Sequence, residues 1–216
     1  AIDWEAVAGD GMTFALVKAT QGVGYVNPWL ARDLDEARAA GLLVGAYHFV
    51  TPGDDGKAQG EHVVSALVGQ VLDLGVWLDW ELDGLADWAI APLFTAAYDA
   101  VTEARPLCGL YGGAAWVARF HAANVPIPHL WYADWTGAEP TQDCMLWQSG
   151  HEMVDGIPGV VDVDELLKPR GVDLPTAPKA RPAPARVDTR PDEERAEAAR
   201  TNSPDERDGQ GTTPAG

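Results

Sequence analysis

An α/β fold, with a parallel sheet and helices packed outside it, is predicted by three observations on this 216-residue chain. Short apolar runs alternate with amphipathic stretches from Phe14 to Ala122. Polar residues gather at the C-terminal end of nearly every apolar run. The composition is 46% hydrophobic with nine Trp, which suits a sizeable buried core. Alternation of this kind places strands in register with helices on the outside.

Taken in order, Phe14–Lys18 reads as a strand and Pro28–Ala40 as a helix stopped by Gly41. Leu43–Phe49 is the next strand, followed by a helix over Gly56–Val68. Val76–Glu81 (VWLDWE) is a strand, and a helix over Leu85–Ala104 tolerates Pro92 in its early turns. Leu107–Tyr111 is a strand and Ala114–Ala122 a helix. Leu130–Asp134, Cys144–Gln148 and Val160–Asp164 then follow as strands with little helix between them. The count is seven strands, where eight close a β/α barrel and an open doubly wound sheet uses fewer.

Residues 169–216 differ in kind. They hold no aromatic residue and eight of the sixteen prolines. Such a stretch cannot bury enough apolar surface to offset its ordering entropy, so a disordered tail or linker is expected after a barrel domain over residues 1–168. The net charge of −18 falls almost entirely on the first 168 residues, which carry −17. That acidity disfavours phosphate backbones and anionic lipid, so neither nucleic acid nor a membrane surface is expected as a partner. No apolar run approaches the roughly 20 residues of a membrane helix. Cys108 and Cys144 sit in apolar runs and read as buried free thiols. No HExxH or other metal-ligand spacing and no nucleophile elbow is present, so neither metal nor cofactor is expected.

The chemistry concentrates at the strand ends: Lys18–Gln21, Tyr47–His48, Asp79–Glu81, Tyr111, Tyr132–Asp134, Trp147–Gln148 and Asp162–Asp164. In parallel barrels that rim is where active sites are built. Asp79 and Glu81, two apart on a strand, point to one face about 6.6 Å apart, with Leu78 and Trp80 facing the helices. Two carboxylates held close in a partly dry site cannot both ionise easily, so one pKa rises. One proton donor beside one anion is what glycoside cleavage needs. Two solvated acids at a strand end are the bland alternative. Trp131, Tyr132, Trp135 and Trp147 could offer faces to sugar rings, or, for Trp131 and Trp147, fill the core.

The blocks IDWEAVAGDGMTFALVKATQG, AGLLVGAYHF, WLDWE, LWYADW, MLWQSG and GIPGVVDVDEL resemble glycoside hydrolase family 25, from Ala1 to about Leu167. The resemblance implies a modified (β/α)8 barrel, TIM-like, cleaving the β-1,4 bond between N-acetylmuramic acid and N-acetylglucosamine. It assigns Glu81 as general acid, Asp79 as its partner carboxylate and Asp162 as the acid of the last strand. Tyr47, Tyr111 and Trp147 match groove-lining positions, and Tyr132, Asp134 and Gln21 are further substrate-binding candidates. It also implies peptidoglycan as partner, a monomer, and action outside the cell or at the wall. Two departures stand out. Gln21 replaces a usual Glu, and the family's first strand, bearing an Asp, precedes the segment matching Ile2–Trp4. The barrel is therefore expected to lack strand one and to carry an open seam. A wall-binding module without catalysis and a chitinase-like enzyme are the competing expectations.

Overall fold

The computed structural model describes residues 1–81 and 84–167; the expected tail, 169–216, lies outside the described residues. The chain opens with helix α1 (Trp4–Gly9), capped by the Asp3 carboxylate accepting from the Ala6 amide at 3.1 Å. The first strand, β1 (Phe14–Gln21), turns into a two-residue strand, β2 (Tyr25–Val26). Helix α2 (Leu30–Ala39) follows, and strand β3 is Leu43–Phe49. Gly41, at φ 91°, makes the left-handed turn between them that a side chain would resist. Helix α3 (Gly56–Ala66), capped by Asp55 through Ala58 N, leads to β4 (Val76–Asp79). Helix α4 (Asp87–Thr102) carries Pro92 inside it. Strand β5 (Cys108–Gly113), helix α5 (Ala114–Ala122) and strands β6 (Leu130–Ala133), β7 (Leu146–Met153) and β8 (Val160–Leu166) complete the order.

All eight strands form one sheet in the order β2-β1-β3-β4-β5-β6-β7-β8. Pairing is parallel from β1 and β3 through to β7. β2 and β8 are antiparallel to their neighbours, which corrects the expectation of parallel strands throughout. The reason is connectivity: each is joined to its partner by a short turn, and a parallel partner needs a crossover of a dozen residues or more. The sheet curls without closing. Among the described residues β1 and β8 form no pair, and a groove of 420 Å³ separates them, lined by Trp4, Phe14, Leu16, Val161 and Val163 among others. The seven expected strands are all present, most with shifted ends, and α1 and β2 are added. β4 stops at Asp79 rather than Glu81, and β7 covers Leu146–Met153 rather than Cys144–Gln148.

Two cores sit on the two faces of this sheet. Leu78 and Trp80 pack outward with Phe94, Trp116 and Phe120 from the helices. Trp77, Tyr111, Trp131 and Leu146 fill the inside of the curl. β4 thus alternates outward and inward, and the inward set ends at Asp79. Full burial of each large side chain here contributes about 1.5–3 kcal/mol. Helices α3 and α4 approach closely through Gly56 and Gly60; a Cβ on Gly60 would lie 2.5 Å from the Ala97 carbonyl oxygen.

Gly60→Val should therefore destabilise the protein by about 1–3 kcal/mol in urea unfolding. Gly9→Ala, where a Cβ meets nothing within 4 Å, should stay within about 0.5 kcal/mol of the parent. An unchanged midpoint for Gly60→Val would mean that the two helices do not touch in solution.

Candidate active site

Parallel strands that run the same way bring their C-terminal ends to one rim, and the inward residue at each end faces a common space. There β3 contributes Tyr47, β4 Asp79, β5 Tyr111 and β7 Gln148, while β8 returns across the gap with Asp162 and Asp164. Glu81 stands two residues beyond Asp79, just past the end of β4. These residues, with Trp131 and Leu16, line a cleft of 410 Å³.

Asp79 and Glu81 share the cleft but not its solvent. Asp79 is 4% exposed, and its Oδ1 has no hydrogen-bond partner; Glu81 is exposed. Burial, reinforced by neighbouring Glu81 and eased by Lys18, pushes the Asp79 carboxyl up to about 8. Asp164 is pushed up to about 7 by burial, although the Trp131 indole N–H donates to it at 2.7 Å. Burial and the surrounding carboxylates also raise the Tyr47 and Tyr111 hydroxyls, so both remain protonated donors.

Tyr111 has one hydroxyl hydrogen and two acceptors within reach. Gln148 Oε1 lies at 3.0 Å and Glu81 Oε1 at 3.2 Å. Gln148 Oε1 also receives the Trp135 indole N–H at 3.2 Å. With the hydrogen directed to Gln148, both lone pairs of that amide oxygen are filled. Directed to Glu81 instead, the same hydrogen is donated to that carboxylate.

Of the nine residues singled out in the sequence, Asp79, Glu81, Asp162, Tyr47 and Tyr111 line this cleft. The other four do not. Trp147 is 5% exposed in the outer core, its indole donating to the Asp134 carbonyl at 2.7 Å. Tyr132 packs against the same outer core. The Asp134 carboxylate accepts from the Thr136 amide, fixing a turn. Gln21 accepts from Lys18 Nζ at 2.8 Å. The sequence places Gln148 and Asp164 at the rim without giving them a role there, and both line the cleft. Period-two alternation pointed to both, since Gln148 alternates with Trp147 and Asp164 follows Asp162 by two. His48, adjacent to Tyr47, faces away: it is fully buried between Thr20 and Gln59, and burial lowers it to about 4.

A rim of carboxylates, phenols and indoles without a basic cluster suits an uncharged polar ligand with apolar faces, as a sugar has. The comparisons agree with that class. The family described as glycosyl hydrolases family 25 matches residues 1–156, and the chain belongs to it. Its relatives include the uncharacterized protein YegX of Escherichia coli K12, 28% identical over 74% of this chain and 63% of YegX. The autolytic lysozyme of Clostridium acetobutylicum is 25% identical over 76% of this chain and 52% of that protein. The chain thus spans less than two thirds of the length of either relative. Among solved structures, the bacterial lysozyme of Streptomyces coelicolor superposes with a TM-score of 0.67 at 26% identity, covering 77% of this chain and 86% of that one.

The raised Asp79 carboxyl sets a pH dependence of stability. The native protein keeps this proton where the unfolded chain, titrating at 3.8, has lost it. The contribution is fully present below about pH 4 and is lost as the pH rises through about 8. Asp79→Asn should flatten the fall in stability across that window by up to about 1.4 kcal/mol per pH unit. Calorimetry at pH 5 and pH 7 reads the difference, and equal slopes for parent and variant would put Asp79 in water.

Proposed function

We propose that this chain is a peptidoglycan hydrolase of the muramidase type, cleaving the β-1,4 bond between N-acetylmuramic acid and N-acetylglucosamine. The observation that carries the reading is an exposed Glu81 beside a buried, partnerless Asp79 on the rim of a family 25 chain. Glu81 is the general acid. It reaches the open cleft, and the Tyr111 hydroxyl, within hydrogen-bond distance of its Oε1, fixes its orientation. Asp79 is the partner carboxylate. When the proton passes to Glu81 and on to the glycosidic oxygen, Asp79 is left anionic beside the positive charge developing on the sugar.

Both carboxylates rise from one strand and approach the sugar from one side. Direct displacement requires attack from the opposite face, so the substrate's own 2-acetamido group is the nucleophile and Asp79 orients it. Asp162 faces the pair from β8, across the cleft, and Tyr47 forms part of the wall on the β3 side. The glycan strand is the partner, and the site of action is the cell wall. No described helix is long and apolar enough to cross a membrane.

Glu81→Gln should reduce the release of new reducing ends from insoluble peptidoglycan by about 10²–10⁴-fold. Pull-down on the same material should persist, and borohydride reduction of the parent's products should find muramic acid at the new ends. Equal release by parent and variant would remove Glu81 from the chemistry; glucosamine at the new ends would make the enzyme a glucosaminidase.

A further inference from the structure

Two rim residues, Gln148 and Asp164, lie directly opposite each other in the β7–β8 register and line the cleft together. Gln148 accepts from the Tyr111 hydroxyl at 3.0 Å. Asp164 reaches past β7 altogether: its Oδ1 accepts the indole N–H of Trp131, on β6, at 2.7 Å. Trp131 is paired with Leu146, and Leu146 with Leu166, so Asp164 stands one pleat repeat nearer the rim than Trp131. The indole is tied by its polar edge to a strand that is not its neighbour.

That indole is the ring on which both phenols of the cleft lean. Trp131 is 5% exposed, so it offers no open face to a sugar. Its centroid lies 4.3 Å from that of Tyr111, tilted, and 6.0 Å from that of Tyr47, edge-on. Apolar packing restrains such a ring without direction, whereas a hydrogen bond at its one polar atom sets its tilt. A buried N–H left without an acceptor is costly, so the orientation of the ring follows the position of Asp164. Tyr111 in turn places its hydroxyl 3.2 Å from Glu81 Oε1. A line of contacts therefore runs from Asp164 through Trp131 and Tyr111 to the exposed acid.

We propose that Asp164 is a positioning residue: by holding the Trp131 indole it fixes Tyr111, and through Tyr111 the approach of Glu81 to the glycosidic oxygen. The role rests on the hydrolase reading above and deepens it. It asks of Asp164 neither a proton nor a contact with the sugar. The position requires an oxygen acceptor rather than a charge, so asparagine can serve there and leucine cannot.

The test reads turnover and geometry separately. Soluble glycan strands freed of their stem peptides serve as substrate, so that kcat and KM are resolved. Asp164→Leu should lower kcat about tenfold with KM within about twofold, and Asp164→Asn should stay within about threefold of the parent. Trp131→Phe, which removes the donor and keeps a ring, should lower kcat as Asp164→Leu does, and the double variant should lose no more than either alone. The Trp131 indole N–H resonance should move in Asp164→Leu and hold in Asp164→Asn. Full kcat in Asp164→Leu, equal losses in the leucine and asparagine variants, an effect on KM alone, or an unmoved Trp131 resonance overturns the proposal. If Asp164→Leu does not fold, full kcat in Trp131→Phe overturns it instead. If the parent releases no reducing ends, the hydrolase reading falls, and the Tyr111 ring resonances decide the rest. A shift in the leucine variant but not the asparagine one keeps the hold of Asp164 on the ring pair, and no shift removes it.

Discussion

The position of one carboxyl group constrains everything around it. Asp79 is almost wholly buried at the rim end of the innermost strand face, and one of its oxygens meets no donor. Burying an unpaired charge there would cost several kcal/mol, so the group keeps its proton instead. A sequence selected for stability alone would place an apolar residue at this point, continuing the inner core of Trp77 and Trp131. An acid retained there adds nothing to the packing of that core, and its departure from apolar patterning marks the position out. Perturbed groups of this kind cluster at working sites.

The sheet supplies the rest of the arrangement. Parallel pairing sets Asp79 directly opposite Tyr111, with Tyr47 one pleat repeat below on β3, opposite Trp77, and Gln148 one repeat above on β7, opposite Ala133. The inner core beneath them is built from large rings: Tyr111 against Trp131 at 4.3 Å, and Trp77 edge-on to the same indole. Those rings have few rotamers open to them in a packed interior, so the hydroxyl of Tyr111 is held where it can meet both Gln148 and Glu81. β8 returns antiparallel and brings Asp162 and Asp164 back toward the carboxylate pair. A closed barrel is not needed for this convergence. The curl from β1 to β8 suffices, and the groove between β1 and β8 adjoins the cleft, sharing Leu16, Val161, Asp162 and Asp164 with it.

Much of this was legible in the sequence because it rests on period. Apolar runs of four to eight residues fell on strands, and α5 has the bounds that the pattern implies, Ala114–Ala122. Alternation also placed Leu78 and Trp80 against the helices and Asp79 inside. What the pattern hid was short or local. Helix α1 has six residues, too few to show a period, and β2 has two. The antiparallel return of β8 follows from a turn of six residues after Met153, a length that excludes a crossover helix. At the site, Trp147 and Tyr132 drew attention as aromatic residues near the rim, yet both lie on the outward half of their strands. Residue type suggested the groove for them; strand parity did not.

Parity also bears on Glu81. It shares a face with Asp79 by the two-residue rule, but β4 has ended before it. Beyond the last ladder bond the backbone is free of the pleat, and the side chain stands out into the cleft mouth rather than lying directly above its neighbour. That difference of two residues separates their surroundings: one carboxyl group stays in the dry wall, and the other is exposed at the cleft. Had the strand run on through Glu81, both acids would sit at similar depth and compete for the same proton in the same surroundings. The early end of β4 leaves one carboxyl group buried and protonated and the other exposed at the cleft.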